Sequence, residues 1–258
     1  MKRLLQYLKG DRGKEDDPIS QGIIKEFLYI SAFPKSGSTF ILLVALDLLK
    51  YSRVHLIYDF LREQDLYEPK LIANVNKKTI SKHHTLATNP NVLLFQKYKI
   101  SPVVLTRNLP DTVISLRDHI SVSLQWPHFV VPNDFNKWEE IDQFEFLIDL
   151  ALPWYIFFYA SWWKVKREKN LLTKFVRYED FHSQQAATIQ EILEFWGYKF
   201  SLEVIEDSME RVNQMAASKN RRNKGIMNRG KEILSESQMK RINSLTRHYP
   251  DIDFNPIL

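Results

Sequence analysis

The sequence predicts an α/β fold: a single domain in which a central, mainly parallel sheet is flanked by helices. Strand-like segments rich in apolar and β-branched residues alternate along the chain with helix-like segments, the pattern of parallel α/β domains. The first such strand, residues 27–33, is apolar on both faces, as expected where helices cover both sides of a sheet. The chain has 258 residues, enough to bury one sizeable core, and we predict a single domain spanning residues 1–258.

The predicted elements follow one another in a regular order. Strands are expected at residues 27–33, 78–83, 101–108 and 171–180. Helices are expected at residues 38–50, 110–120, 144–167 with an interruption at Pro153, 185–196, 202–213 and 235–247. Pro102 opens the third strand, and Pro110 stands at a first helical position, where its missing N–H is tolerated.

The composition limits the kind of protein that the chain encodes. It contains no cysteine, which excludes disulfides, thiolate-bound metals and a cysteine nucleophile. The net charge of +5 is too small to indicate a nucleic-acid partner. Residues 1–22 lack the apolar core of a signal peptide and are expected to be flexible, although residues 2–9 could form an amphipathic turn at a membrane surface. No run of 18 apolar residues occurs, so we predict a cytoplasmic protein without stable membrane insertion.

The segment FPKSGSTF, residues 33–40, predicts an anion-binding turn between a strand and a helix. Helix N-termini present unpaired N–H donors and a partial positive charge, and Gly37 lets an anion approach them closely. Lys35 adds a full charge, but it precedes the glycine, so this is not a Walker A loop. The alternative is an ordinary helix start, in which Ser36 or Ser38 caps the helix and Lys35 is solvated.

A second strand end, TRNLPDTVISLRDH at residues 106–119, repeats this arrangement. Arg107 ends a strand and offers a fork of donors that suits a phosphate group. Asp111 lies at the start of the following helix, and Ser115 lies about one turn further along. A surface ion pair between Arg107 and Asp111 is the alternative, but two such elements in one chain favour an anion site.

The two motifs together resemble the sulfotransferases that use 3′-phosphoadenosine 5′-phosphosulfate (PAPS). FPKSGSTF is similar to the family's phosphosulfate loop, aromatic-Pro-Lys-Ser-Gly-Thr-Thr-Trp, and TRNLPDTVISLRDH to its 3′-phosphate element, Arg-Asn-x-x-Asp-x-x-x-Ser. The segment WWKVKREKNLLTKFVRYEDF is similar to the family's helix–strand unit ending in Tyr-Glu-Asp. The resemblance spans about residues 27–235. It implies a soluble small-molecule sulfotransferase with a P-loop-like phosphosulfate turn, PAPS as donor, adenosine 3′,5′-bisphosphate (PAP) as product, and no metal.

The resemblance also implies roles for individual residues. Lys35 would contact the oxygen that bridges phosphate and sulfonate. The 5′-phosphate would be held by the backbone N–H groups of Ser36, Gly37, Ser38 and Thr39, assisted by the hydroxyls of Ser38 and Thr39. Phe40 stands where the family usually has a tryptophan that packs on adenine. Arg107 and Ser115 would bind the 3′-phosphate, and Tyr178 would meet the adenine edge.

The general base is expected in TISKHHTL, residues 79–86. The family often has Lys-x-His in this region, and Lys82 and His84 match that spacing. His83 is the rival, because successive side chains of a strand point to opposite faces. A histidine that titrates near neutrality can take the proton of an acceptor hydroxyl. The implied catalytic set is therefore Lys35, His84 and Ser115, with His83, a carboxylate or no base as alternatives.

The basic segment at residues 216–232 is predicted to be a loop that closes over the cofactor. It resembles the family's Arg-Lys-Gly-x-x-Gly-Asp-Trp-Lys segment, and the matching residues are Lys224, Gly225 and Lys231. Asn223 replaces the arginine and Asn228 the second glycine, so Arg222, or else Arg221, is expected to supply the missing charge. The alternative is a disordered basic linker.

The region 120–160 would line the acceptor pocket in this family. It is rich in aromatic residues, namely Trp126, Phe129, Trp138, Phe144, Phe146, Trp154 and Tyr155. This composition predicts a hydrophobic small-molecule acceptor that carries a hydroxyl or an amine. The same region contains five acids, which either steer a cationic acceptor or form a solvated helix face: Glu139, Glu140, Asp142, Glu145 and Asp149.

Two other functions stay open from the residues alone. A small-molecule kinase with a degenerate P-loop would need magnesium and a Gly-Lys-Ser/Thr order that the sequence does not show. A non-catalytic basic module for nucleic acid or anionic lipid would use residues 216–232 but gives Lys35 no role. The family's short dimer motif has no obvious counterpart, so we expect a monomer or a weak homodimer, with no nucleic-acid partner.

Overall fold

The structure, a computed structural model, describes residues 27–123, 126, 129–217 and 227–258, without the side chains of residues 216 and 217. Its strands are β1 (Phe27–Ala32), β2 (Ser52–Arg53), β3 (Thr79–His83), β4 (Val103–Thr106) and β5 (Lys174–Arg177). They form one sheet in the order β2-β3-β1-β4-β5, and every pairing is parallel. The predicted α/β fold with a parallel sheet flanked by helices is confirmed.

Eleven α-helices occur in the described part of the chain. They are α1 (Ser38–Leu49), α2 (Glu68–Ile72), α3 (Asn89–Lys97), α4 (Leu109–Ser123), α5 (Glu140–Leu150), α6 (Leu152–Glu168), α7 (Tyr178–Ser183), α8 (Gln185–Phe195), α9 (Leu202–Ala217), α10 (Arg229–Ile233) and α11 (Glu236–Leu245). Helix α11 begins with a capping box, in which Ser235 and Gln238 satisfy each other's backbone N–H groups.

Both faces of the sheet are buried, as the apolar strands predicted. One face of β1, which includes Tyr29, packs against α3 and α6 through Phe95 and Trp162. The other face, which includes Leu28 and Ile30, packs against α1, α8 and α9. Because successive strand side chains alternate between faces, β1, β4 and β5 each contribute to two separate apolar clusters.

The strand predicted at residues 171–180 is wrong in its second half. Strand β5 ends at Arg177, and Tyr178 is the first residue of α7. Glu179 and Asp180 lie in the first turn of this helix, where the helix dipole favours negative side chains. The strand predicted at 101–108 is also longer than the observed β4, so Arg107 follows the strand instead of ending it.

The helix predicted at residues 144–167 is a pair, α5 and α6, joined at Ala151. Pro153 lies in the first turn of α6, where a missing N–H is tolerated. The stretch Glu140–Glu168 is long and apolar enough to cross a membrane by composition, but 56% of its apolar window is buried against the rest of the fold. It is therefore a helix pair of the core, as the sequence suggested.

The basic segment at 216–232 is not wholly a loop. Helix α9 continues to Ala217, and α10 occupies Arg229–Ile233. Residues 218–226, among them Arg222, Lys224 and Gly225, lie outside the described residues, as do residues 1–22. Besides α7 and α10, three short elements were not predicted, because they have too few residues for a clear periodicity: β2, α2 and α3.

The topology brings four loops to one edge of the sheet. Strand β1 pairs with β3 on one side and with β4 on the other, so the strand order reverses around β1. In open parallel sheets, ligands bind outside the carboxyl ends of the strands at such a reversal. The residues that closely follow β1, β3, β4 and β5 meet at this edge, and they include Lys35, His84, Arg107 and Tyr178.

Candidate active site

The turn after β1 exposes a row of backbone donors. Lys35 and Gly37 both have positive φ angles, 69° and 76°, and α1 begins at Ser38 with Gly37 as its N-cap. The α1 N-terminus has no side-chain cap, and the N–H groups of residues 35–39 meet no acceptor among the described residues. Such a row of N–H groups is an anion-binding concavity.

The alternative of a serine-capped helix start is wrong. The Ser36 hydroxyl is buried and donates to the Phe33 carbonyl at 2.6 Å, which braces the turn from within. Ser38 is also buried and does not cap α1 through its side chain. Only the backbone N–H of Ser36, and not its hydroxyl, therefore remains available to an anion.

Tyr178 lies directly behind this turn. A Cβ atom on Gly37 would come within 3.2 Å of the Tyr178 ring, so the close packing and the positive φ both favour glycine there. The Arg107 guanidinium carbon lies 4.3 Å from the centre of the same ring. Burial raises the pKa of the Tyr178 hydroxyl, and the neighbouring Arg107 opposes that rise.

Arg107 joins the two predicted anion elements. Its Nη1 donates to the Lys35 carbonyl at 3.1 Å, and its Nη2 lies 3.6 Å from Asp111 Oδ2. The predicted alternative, a surface ion pair, is wrong because both side chains are at least 93% buried. Burial lowers the pKa of the Lys35 ammonium, Arg107 lowers it further, and Asp118 opposes both.

Glu179 explains why the Tyr-Glu-Asp motif accompanies this site. Its Oε1 accepts hydrogen bonds from the backbone N–H and the side-chain amide of Asn108, at 2.9 and 2.7 Å. Asn108 in turn accepts a hydrogen bond from the Asp111 N–H at 2.8 Å. The segment after β5 thereby fixes the start of α4, two residues after Arg107.

Several predicted residues line one cavity of about 980 Å³. The predicted residues in its wall are Lys35, Gly37, Ser38, Thr39, Phe40 and His84. Phe40 is also in contact with Phe181, at 6.2 Å between ring centres. Ser36, Arg107, Ser115 and Tyr178 are not in this wall. The structure therefore places the phosphosulfate turn beside His84, with Arg107 and Tyr178 packed behind the turn.

The two adjacent histidines have different environments. His83 is 1% exposed, and its Nε2 accepts a hydrogen bond from the Leu56 N–H at 3.3 Å. Burial lowers the pKa of His83 to about 2, with smaller effects from His55 and other neighbouring cations. His83 is thus a neutral residue of the core. His84 instead lies in the cavity wall, which favours it over His83 as the base.

The orientation of His84 is fixed by the backbone. Its Nδ1 lies 2.6 Å from the Ala32 carbonyl oxygen, which can only accept a hydrogen bond. In the neutral ring, Nδ1 therefore carries the hydrogen and Nε2 carries the lone pair. That is the arrangement a general base requires.

Three further side chains with acid–base character line the cavity: Glu63, Lys82 and His119. Lys82 had been matched to the lysine of the family's Lys-x-His pattern by its spacing from His84 alone. Burial lowers the pKa of Lys82, and Glu63 opposes that change. His119 follows Ser115 by one turn of α4, and burial together with Lys35 lowers its pKa. Glu63 has no signal in the sequence, because it reaches the site from a segment without periodicity. In the described part of the chain, no group of three or more potential metal ligands occurs.

Apart from Ser123, the remaining wall of the cavity is apolar. It is formed by Phe60, Leu61, Trp126, Phe129, Val130 and Val131. Only Trp126 and Phe129 of the seven predicted aromatic residues belong to this wall, since the others pack elsewhere. None of the five acids lines it, and two of them are paired outside it, Glu140 with Arg117 and Asp149 with Arg241. The structure therefore gives these acids no part in steering a cationic acceptor.

The end of the basic segment is anchored to α4. Asp111 Oδ2 accepts a hydrogen bond from the Asn228 N–H at 2.9 Å, and Oδ1 accepts one from the Gly230 N–H at 2.8 Å. Asn228 has a φ of 64°, a left-handed conformation that asparagine tolerates better than most residues. The replacement of the family's second glycine at Asn228 is therefore compatible with the backbone. A Cβ on Gly230 would lie 2.4 Å from Pro110.

Replacing Asp111 with asparagine should destabilise the fold. Four groups donate to or face its carboxylate, namely the Asn228 and Gly230 N–H groups, the Asn108 amide and the Arg107 guanidinium. An amide cannot satisfy them all, so we expect a loss of about 3 kcal/mol in the free energy of unfolding. Chemical denaturation of Asp111→Asn measures it. The control is Asp251→Asn, at an exposed carboxylate. Equal stability of the two variants would contradict the anchoring role.

The comparisons with known proteins agree with this geometry. The family model for the sulfotransferase domain matches residues 26–249. The chain therefore belongs to the sulfotransferase domain family, and the predicted class of enzyme is confirmed: it catalyses sulfonyl transfer. The family match therefore rules out the two alternative functions, the small-molecule kinase and the non-catalytic basic module.

Solved structures share the fold at low sequence identity. The mouse sulfotransferase SULT7A1 complexed with PAP has a TM-score of 0.63 and 13% identity, covering 93% of this chain and 91% of that chain. Retinol dehydratase in complex with androsterone and PAP has a TM-score of 0.56 and 16% identity, and the match covers 88% of this chain and 83% of that chain. Retinol dehydratase in complex with retinol and PAP has a TM-score of 0.58 and 16% identity, and the match covers 89% of this chain and 82% of that chain. A search of curated protein sequences finds no match.

Proposed function

We propose that the protein transfers the sulfonyl group of PAPS to a hydroxyl group of a small apolar acceptor, with an amine as the less favoured nucleophile. One observation carries this proposal: the uncapped row of N–H groups at residues 35–39 and the Nε2 side of His84 belong to one cavity at the carboxyl edge of the sheet. The neighbouring folds crystallised with PAP support the choice of donor.

The donor would bind along the turn and behind it. The N–H groups of Ser36, Gly37, Ser38 and Thr39 would hold the 5′-phosphate, with the hydroxyls of Ser38 and Thr39. Phe40 would pack on adenine, since every base presents a π-face to an aromatic ring. Arg107 and Ser115 would hold the 3′-phosphate, with Tyr178 near the adenine edge. In the basic segment, we assign Arg222, Lys224 and Gly225 to the cap over the cofactor.

The reaction is an in-line displacement at sulfur. The acceptor oxygen forms a new bond to sulfur while the bond between sulfur and the bridging phosphate oxygen breaks. Lys35 would stabilise the negative charge that develops on that bridging oxygen. His84 Nε2 would take the acceptor's proton. The products are the sulfated acceptor and PAP, and the chain's own groups suffice for these steps.

The apolar wall supports a small hydrophobic acceptor. Phe60, Leu61, Trp126 and Phe129 all line the cavity that also contains His84. A flat aromatic alcohol placed between them would present its hydroxyl to His84 and bury its ring. Two neighbouring structures contain apolar alcohols together with PAP, androsterone in one and retinol in the other. We further propose a cytoplasmic protein that acts as a monomer or weak homodimer.

Transfer of radiolabelled sulfonate from PAPS tests the proposed function. The acceptor panel should contain phenols, polycyclic alcohols, aliphatic alcohols and aromatic amines, each without added metal. We expect labelled products from the flat aromatic alcohols, with PAP formed in equal amount. A chain that binds PAP but sulfates only charged, polar acceptors would contradict the acceptor assignment.

A further inference from the structure

Glu63 is a buried carboxylate beside the proposed base. It follows the short turn at Phe60–Arg62 and lines the same cavity as His84. Its Oε1 lies 3.9 Å from His84 Nε2, and the two side chains are only 15% and 13% exposed. This distance is too long for a hydrogen bond but short enough for a strong interaction between charges in a partly buried site.

The contact lies on the side of the ring where the proton would arrive. Because Nδ1 faces the Ala32 carbonyl, the proton from the acceptor adds at Nε2, which faces Glu63. The ring then becomes a cation in a site that excludes most water. A carboxylate at this position stabilises the cation, whereas it has little effect on the neutral ring.

We propose that Glu63 is the carboxylate partner of His84, stabilising the imidazolium that forms as the acceptor's proton moves to Nε2. This inference rests on the proposed sulfonyl transfer. The proton passes from the acceptor oxygen to Nε2 as the new sulfur–oxygen bond forms. It is released through the Glu63 carboxylate to solvent after the products leave, which returns His84 to its neutral form. Glu63 is thus a positioning and charge-stabilising residue that acts through His84.

The surrounding charges favour this role over binding of a cationic acceptor. Lys35 and Lys82 line the same cavity, so an ammonium group bound there would share it with two lysine side chains. The positive charge on His84, in contrast, forms in place beside the Glu63 carboxylate. Titratable and charged groups near the pair, within the part of the chain that the structure describes, include Lys35, Lys82, His119, Arg53, His83 and Tyr29.

The environment of Glu63 adds a pH dependence. Burial raises its pKa to about 7, and Lys82 opposes that rise. The carboxylate therefore forms over the neutral range, where it can support the cation, and is lost as the pH falls. In Glu63→Gln the cation loses its partner, so His84 stays neutral to lower pH and the acid limb of the rate profile moves to lower pH.

Histidine NMR titration of the full chain with PAP present tests the pairing without any acceptor. The His84 ring signal is identified by its absence in His84→Gln. We expect the midpoint of its titration to fall by about one pH unit in Glu63→Gln. Glu203→Gln removes an exposed glutamate on α9 and should leave the midpoint unchanged. An unchanged midpoint in Glu63→Gln would overturn the proposal.

A double-mutant cycle with the best acceptor of the panel provides the kinetic test. We expect Glu63→Gln to lower kcat about tenfold and to leave KM for PAPS unchanged. In a His84→Gln background the same change should cost nothing further, because Glu63 acts through the ring. Additive losses would overturn the proposal by showing that Glu63 acts independently. Failure of the proposed function itself would appear separately, as a wild-type chain that does not bind PAP.

Discussion

Lys35→Ala should lower kcat/KM for sulfonyl transfer by about two to three orders of magnitude, the usual effect of removing one preorganised charge from a transition state. Lys35 lines the same cavity as His84 and the turn residues Gly37, Ser38 and Thr39. Its ammonium is the only full positive charge that the described part of the turn at residues 33–40 offers to a departing phosphate. We therefore expect the loss mainly in kcat, measured as initial rates with PAPS.

Lys50→Ala is the matched control for this prediction. Lys35 and Lys50 both have left-handed backbones, with φ of 69° and 55°, so alanine carries a similar conformational cost at either position. Lys50 stands at the opposite end of α1, and its side chain is 75% exposed. Lys50→Ala should leave kcat/KM unchanged. If both variants lost activity equally, backbone strain and not charge would be the cause.

His84→Gln should lower kcat by about two orders of magnitude or more while the fold and PAP binding are retained. The ring lies in the cavity wall, and its Nδ1 contact to Ala32 leaves Nε2 to act as base. Glutamine keeps a polar side chain of similar length but has no basic nitrogen. Initial rates and calorimetric binding of PAP, measured on the same preparation, separate the loss of chemistry from a loss of donor affinity.

The neighbouring histidine provides an internal control. His83 accepts a hydrogen bond in the core, so His83→Gln should lower the free energy of unfolding by about 1–3 kcal/mol. Its effect on kcat per folded molecule should be small. The assignment of His84 as base would be contradicted by the reverse pattern, in which His83→Gln abolishes turnover and His84→Gln only destabilises.

The features predicted from the sequence are those that depend on local order along the chain. The β1 turn was predicted because Lys35 and Gly37 stand between a buried strand and a helix. Its uncapped helix start and the close packing of Gly37 against Tyr178 are seen only in the structure. The parallel sheet followed from apolar strands that alternate with helices, since both faces of such strands are buried. The family match, covering residues 26–249, bears out the resemblance drawn from the three motifs.

The features that were missed depend on contacts between distant segments. The Lys-x-His resemblance had already favoured His84 over His83 as the base, but the burial of His83 in the core is visible only in the structure. Glu63 reaches His84 across 21 positions of irregular chain, which no periodicity marks. Tyr178 was placed in a strand because its predecessors are strand-like, yet the two acids after it favour a helix start.

Calorimetric binding of PAP, adenosine 5′-monophosphate and ATP, each without magnesium, tests the central claim most directly. The account predicts that PAP binds tightly, that adenosine 5′-monophosphate binds much more weakly because it lacks the 3′-phosphate, and that Arg107→Ala reduces the preference for PAP. It also predicts that adding magnesium does not make ATP bind more tightly than PAP. Tighter binding of ATP that requires magnesium, or equal binding of PAP and adenosine 5′-monophosphate, would contradict the assignment of this edge of the sheet as a PAPS site.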